Sequence, residues 1–225
     1  MTLYIAPMSK QELNIMKVSI IIPAFNEEKN IPQVMDSLHT LQDNYEILVV
    51  NDGSQDNTSD IVRSYNIPVL DMPKNRGKSF AMWTGLQHTS GQAILFLDAD
   101  LIGLKPEHVH KMIIPIIDGI ADMTVGIFTS GRSITDLAQK LTPFLSGQRA
   151  VRRAILEKLG YNEWLSGYGI EIALTRYARE HHLRILEIPL DNVSQIIKEE
   201  KLGLTRGMKA RLKMYWEIAK EINRV

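Results

Sequence analysis

Apolar positions in the first hundred residues come as short saturated runs, separated by stretches in which they recur at helical spacing. "KVSIIIPAF" (17–25) is rich in β-branched residues and reads as a strand buried on both faces, ending at Pro23. It gives way to a helix whose apolar Ile31, Val34, Met35 and Leu38 share one face. "YEILVVNDGS" (45–54) is a second strand ending in a turn, and "DNTSDIVRSY" (56–65) opens a helix with Asp56 as a capping residue. "IPVLDM" (67–72) makes a third strand, "SFAMWTGLQHT" (79–89) a helix and "QAILFLDAD" (92–100) a fourth strand. Strands alternating with helices predict an α/β fold, a mostly parallel central sheet with helices on both faces.

Beyond Asp100 the pattern predicts a helix in "PEHVHKMIIPII" (106–117), its end marked by Pro115, then a strand in "ADMTVGIF" (121–128). "RAVRRAILEKL" (149–159) reads as an amphipathic helix, "IEIALTRYAREHH" (170–182) as another and "LRILEIPL" (183–190) as a late strand. "GMKARLKMYWEIAKEINRV" (207–225) is a final helix. With no repeat or low-complexity linker, the organisation expected is an N-terminal arm (1–16), one domain (17–203) and a C-terminal helix (204–225).

Composition narrows the classes. At 225 residues, the chain can bury one substantial core. Its 26 basic and 26 acidic residues leave a formal net charge of zero, so no global field draws in nucleic acid. Cysteine is absent, which removes disulfides and thiolate chemistry and agrees with a reducing cytoplasm. No window approaches the roughly 20 apolar residues of a membrane span, and "MTLYIAPMSKQELNIMK" lacks the basic start and apolar core of a signal peptide. From Lys198 onward eight basic residues face four acidic ones. There Lys209, Arg211 and Lys213 accompany Met208, Leu212, Tyr215 and Trp216, suited to peripheral contact with an anionic membrane or to packing on the domain or a second subunit. A cytoplasmic homodimer is the expectation.

Ligands of open parallel sheets sit outside the carboxyl ends of the strands, so the strand endings carry the candidate chemistry. They read Asn26-Glu27-Glu28, Asn51-Asp52-Gly53-Ser54, the Lys74-to-Lys78 turn and Asp98-Ala99-Asp100. Asp98 and Asp100 lie two apart in extended chain, which points both carboxylates the same way, as a site for Mg²⁺ or Mn²⁺ requires. Asp52 is an acceptor at a strand end, able to read a nucleobase imino N–H. Lys78 offers a point charge beside a helix start, where phosphate is favoured. Gly77-Lys78-Ser79 also resembles the end of a phosphate-binding P-loop. That ATPase reading fails because Met72 stands where the loop's first glycine belongs, and because such a loop follows the first strand of its fold. A non-catalytic nucleotide-sugar-binding protein or membrane-associated scaffold is the other competing reading. The bland reading of "RAVRRA" is a solvated face, with Arg149 a candidate for an anionic acceptor.

"VSIIIPAFNEEKNI", "ILVVNDGSQDNT", "NRGKSFAMWTGL" and "FLDADL", in this order, resemble the nucleotide-sugar glycosyltransferases of the GT-A fold, family 2 and its relatives. "GRSITDL", "FLSGQRAVRRAIL" and "GYGIEIAL" extend the similarity toward the glucosyl-3-phosphoglycerate synthase type. The resemblance implies a metal-dependent transfer of a hexose, glucose, from a UDP-sugar to an acceptor bearing phosphate or carboxylate, or to a lipid. By it, Pro23, Ala24, Phe25 and Glu27 line the uridine pocket and Asp52 approaches the base. Gly77 and Lys78 meet the diphosphate, Asp98 the ribose side of the donor and Asp100 the metal. Glu171 lies beside the acceptor and reacting sugar, and Arg132 and Thr135 receive the acceptor's charged end. The catalytic set implied is Glu171, Asp100 and Lys78. Two departures stand out: Gln195 takes the place of a histidine that completes the metal site, and "GRSITDL" is one residue longer than the related turn. The resemblance leaves open whether configuration is inverted, with Glu171 as base, or retained, with Glu171 positioning the sugar.

Overall fold

The computed structural model describes residues 16–129, 146–164 and 170–195. Its elements run β1 (Val18–Ala24), α1 (Ile31–Leu38) with a 3₁₀ turn (His39–Leu41), β2 (Glu46–Asn51), α2 (Thr58–Ser64) and β3 (Val69–Asp71). Then come α3 (Lys78–Gln87), β4 (Ala93–Phe96), β5 (Leu101–Ile102), α4 (Pro106–Ile117), β6 (Met123–Phe128), β7 (Arg149–Arg152) and α5 (Arg153–Leu156). The order ends with α6 (Tyr161–Trp164), α7 (Ile170–Glu180), β8 (Ile185–Leu190) and β9 (Ser194–Gln195).

Seven strands form one sheet in the order β3-β2-β1-β4-β7-β6-β8, and β5 pairs with β9 in a small ribbon. The first four strands are mutually parallel, as expected. Their saturated apolar runs are explained by burial on both faces, since alternate residues feed two separate cores. Ile20, Ile22, Val49 and Leu95 pack with α1 and α4, whereas Ile21, Val50, Ile94 and Phe96 pack with α3 and α7. Ile31, Val34, Met35 and Leu38 are all buried, so the spacing read in α1 matches its inward face.

The segment expected as a helix over 149–159 is instead a strand followed by a short helix. Arg149–Arg152 enters the sheet antiparallel between β4 and β6, and only Arg153–Leu156 is helical. The slot between two strands demands a ladder partner, and this tertiary requirement overrides the local amphipathic spacing. Arg149, expected on a solvated face or before an acceptor, is 1% exposed. Its guanidinium donates to the Ser146 carbonyl and to Thr175 Oγ1, both at 2.9 Å. Pro115 lies within the last turn of α4, which runs to Ile117. The C-terminal helix and all of the N-terminal arm except Met16 lie outside the described residues.

Chain order reverses at β1, which is flanked by β2 on one side and β4 on the other. The loops leaving β1, β2 and β4 therefore diverge at their carboxyl ends and leave a crevice.

Candidate functional site

The turn after β2 and the loop before α3 are clamped together. Asp52, 2% exposed, accepts the backbone N–H groups of Arg76 and Gly77 at 2.7 Å each, one on each carboxylate oxygen. Gly53, at φ +72°, lies so close that a Cβ there would meet the Lys74 carbonyl carbon at 2.6 Å. This explains the resemblance to a P-loop and its limit. Two amides that such a loop would aim at phosphate are turned onto Asp52. Gly77, at φ +92°, then starts α3 and delivers Lys78 at its first residue.

Lys78 Nζ lies 2.6 Å from Asp98 Oδ1 and 2.9 Å from Glu171 Oε1. The ends of α3 and α7 that carry these groups are joined by the Ile170 N–H, which donates to Ser79 Oγ at 3.3 Å. Burial disfavours the Lys78 charge, but the Asp98 and Glu171 carboxylates outweigh it and hold the ammonium above the ordinary lysine range. Burial would likewise raise the Glu171 carboxyl, and Lys78, with Arg149 behind it, holds it below the usual carboxylate range. Burial brings the Arg149 guanidinium down to about 10, against the field of Glu171.

Asp98 and Asp100 are 7% and 6% exposed, and they converge on a single atom. Gln195 Nε2 donates to Asp98 Oδ2 and to Asp100 Oδ1, both at 2.9 Å. Among the described residues, no group of three or more His, Cys, Asp or Glu side chains is placed to hold a metal. The residues nevertheless fit the expected divalent cation through the two carboxylate oxygens that meet there, the ligands a hard ion takes, while the Gln195 amide presents Nε2 to that point. Asp98, expected on the ribose side, thus also faces the point where Asp100 and Gln195 meet.

An open cleft of about 540 Å³ at the turns after β1, β2 and β3 is lined by Phe25, Ser54, Asp71, Lys74 and Asn75 among others. Phe25 is 42% exposed there, whereas Pro23 and Ala24 are buried in the last turn of the β1 ladder, beneath it. Asp52 closes the far side of the turn rather than lining the cleft. Glu27 accepts from Asn30 Nδ2 at 2.6 Å, and its backbone N–H donates to Thr58 Oγ1, so it braces the turn after β1. At the cleft's edge Asp71 is bonded by Asn51, Ser59 and Arg63.

Three further residues belong to the site. Gln148, fully buried, donates to Asp98 Oδ2 at 3.0 Å. A Cβ on Gly147 would come within 2.5 Å of Lys78 Nζ and 2.7 Å of Asp98 Oδ2, so only glycine leaves the Lys78–Asp98 pair its room. Arg149 anchors Thr175, whose hydroxyl donates to the Glu171 carbonyl at 2.8 Å. Their one local signal was a glycine followed by a polar residue, Gly147-Gln148, and the helical spacing of the residues after it obscured the strand. Arg132 and Thr135 lie outside the described residues.

The family model described as glycosyl transferase family 2 matches residues 19–182. Glucosyl-3-phosphoglycerate synthase of Mycobacterium tuberculosis is 30% identical over 197 residues, covering 70% of this chain and 59% of that protein's length. Its crystal structure with Mn²⁺, UDP and glucosyl-3-phosphoglycerate superposes with a TM-score of 0.70 at 28% identity, over 87% of this chain and 78% of that one. A dolichyl-phosphate beta-glucosyltransferase of Trichomonas vaginalis is 39% identical over 97 residues, covering 37% of this chain and 30% of its own. A mostly parallel seven-stranded sheet with acidic, cationic and turn residues gathered at its switch point, together with a family match over residues 19–182, places this chain in glycosyl transferase family 2.

Proposed function

We propose that the protein is a metal-dependent glycosyltransferase that moves a hexose, glucose, from a UDP-sugar to an acceptor bearing phosphate or carboxylate. The observation that carries this reading is the contact of Lys78 with both Asp98 and Glu171, next to the convergence of Asp98 and Asp100. One mycobacterial relative is named for its action on 3-phosphoglycerate and has been crystallised with Mn²⁺ and UDP, which supports the donor, cation and acceptor class.

The cleft bounded by Phe25, Ser54 and Asn75 takes the uridine, with Pro23 and Ala24 buried in the strand that carries Phe25, Glu27 bracing the turn after it and Asp52 holding the loop at Arg76 and Gly77. In the transfer, the bond from the anomeric carbon to the diphosphate oxygen breaks and a glycosidic bond to the acceptor oxygen forms. Negative charge grows on the departing diphosphate, and the Lys78 ammonium is placed to stabilise it. Asp98, Asp100 and Gln195 would hold the cation, which supplies further positive charge at the same diphosphate. As Lys78 turns toward phosphate it releases Glu171, whose carboxylate then takes the acceptor's hydroxyl proton. Arg132 and Thr135 bind the acceptor's charged end, and the working form is a cytoplasmic homodimer touching the inner face of the membrane through residues 204–225.

Thermal melting with UDP, GDP and ATP, with and without Mn²⁺, tests the reading. A UDP compound should stabilise the fold only with the cation, by about 2.7 kcal/mol at a hundredfold excess over Kd. Stabilisation by ATP alone would overturn it. Glucose transfer from UDP-glucose to 3-phosphoglycerate, compared with polyprenyl phosphate, then assigns the acceptor, and light scattering assigns the oligomer.

A further inference from the structure

Arg149 brings a charge into an apolar layer. Its neighbours across the ladder, Phe96 in β4 and Val125 in β6, belong to the core beneath α3 and α7, and its guanidinium reaches Met123 Sδ at 3.8 Å. Burial brings this guanidinium down to about 10, so it remains a cation at neutral pH. Packing alone does not require it, because apolar side chains of similar volume in place of buried ionic groups are often neutral or stabilising. The contacts with α7 give the charge a use. Arg149 Nη1 donates to Thr175 Oγ1 at 2.9 Å, and Thr175 donates to the Glu171 carbonyl at 2.8 Å, one turn earlier in the helix. Two links thus tie a fixed cation to the first turn that carries the Glu171 carboxylate.

We propose that Arg149 is a positioning residue for Glu171, a second cation that keeps the carboxylate charged when Lys78 turns to the diphosphate. The inference rests on the transferase reading above, in which Glu171 takes the acceptor's proton, and deepens it. Glu171 is faced by Lys78 from α3, with Asp98, past the end of β4, on that ammonium's other side, and by Arg149 from β7. In α6, Glu163 is occupied by Arg176 at 3.1 Å. Burial alone pushes the Glu171 carboxyl up, so a carboxylate that lost Lys78 with no charge behind it would take a proton before the acceptor could offer one. Lys78 ends a flexible chain and can move. Arg149 is locked by its bonds to the Ser146 carbonyl and Thr175, and its charge stays where it is.

Side-chain ¹³C NMR of the full chain tests this, with the Glu171 carboxyl assigned by its loss in Glu171→Gln and titrated in the free protein and with UDP and MgCl₂. In the unaltered protein the midpoint should lie no higher than the ordinary glutamate range in both states. Arg149→Met should raise it by about one pH unit or more in the free protein, and further with UDP and Mg²⁺ bound. Arg149→Lys, which keeps a charge at this place, should hold it near the unaltered value. Thermal melting checks that the variants are folded. Arg149→Gln, neutral but able to bond Thr175, takes the place of Arg149→Met should that variant not fold. A midpoint unmoved in the folded neutral variant would overturn the inference and leave the transferase reading intact. Failure of the unaltered protein to take up UDP with Mg²⁺ would overturn the transferase reading, and with it the catalytic role of Arg149, while the coupling of Arg149 to Glu171 would still be read in the free protein.

Discussion

The Lys78 ammonium and the Glu171 carboxylate lie 2.9 Å apart at the adjoining starts of two helices, α3 and α7. Lys78 holds the Glu171 carboxylate ionised, and by the function proposed above a diphosphate that drew Lys78 away would leave Glu171 available as the base. Glu171→Gln should therefore lower kcat by about 10²–10⁴, the range of a lost general base, while UDP affinity stays unchanged. Transfer rates beside UDP calorimetry check this, and a variant with full kcat would remove Glu171 from the chemistry.

Asp100→Ala should remove cation-dependent stabilisation by UDP and cut turnover by about 10²–10³, the usual cost of one preorganised electrostatic partner. The change relieves repulsion with Asp98 but removes the acceptor of the Gln195 hydrogen bond, so melting of the ligand-free variant is measured beside the unaltered protein. Cation-dependent UDP binding that survived the change would place the metal elsewhere.

Gly147→Ala is a steric test. A methyl group at 147 would stand 2.5 Å from Lys78 Nζ and 2.7 Å from Asp98 Oδ2 and must push the pair apart. Because Lys78 ends in a flexible chain, the melting temperature should change little while kcat falls by on the order of 10². An active variant would show that the Lys78–Asp98 contact is dispensable.

Asp52→Ala would leave the N–H groups of Arg76 and Gly77 without their acceptor. These donors are half-buried, so the cost lies at or below about 1 kcal/mol, the low end for an unsatisfied buried group, and the loop that carries Lys78 would be released. Both a lower unfolding free energy and weaker UDP binding are expected, the first by chemical denaturation and the second by calorimetry. Weaker binding with unaltered stability would assign Asp52 to the nucleotide alone.

Acid should destabilise the fold progressively. Glu171 sits below its ordinary pKa because Lys78 outweighs burial, and hydrogen bonds from Ser19, Thr58 and Ser59 outweigh burial for Glu46, Asp56 and Asp71. Asp122 is lowered chiefly by its hydrogen bond from Arg184. Carboxyls depressed in the folded state contribute stability above their unfolded pKa, and this is lost as pH falls through the folded values. Melting temperature should be level near neutrality and drop below about pH 4. A rise on acidification would contradict these pairings.

Much of this was legible in the chain. The β1 to β4 runs, the inward face of α1, and the gathering of Asp52, Lys78, Asp98 and Asp100 at strand ends all follow from local periodicity and the position of turns. These features depend on neighbours in sequence, and a parallel sheet turns them into a common rim. The strand at Arg149–Arg152 was not legible, because its ladder partners β4 and β6 are remote and its own spacing suits a helix equally well.

Sequence alone determined the residue types at the strand ends and their order along the chain. Tertiary structure alone decided that Asp52 spends both oxygens on the Lys78 loop, that Gly147 makes room for the Lys78–Asp98 pair, and that Gln195 bridges two carboxylates. Each of these is a contact between segments far apart in the chain. Its partners are chosen by sheet order and packing, which local periodicity does not encode.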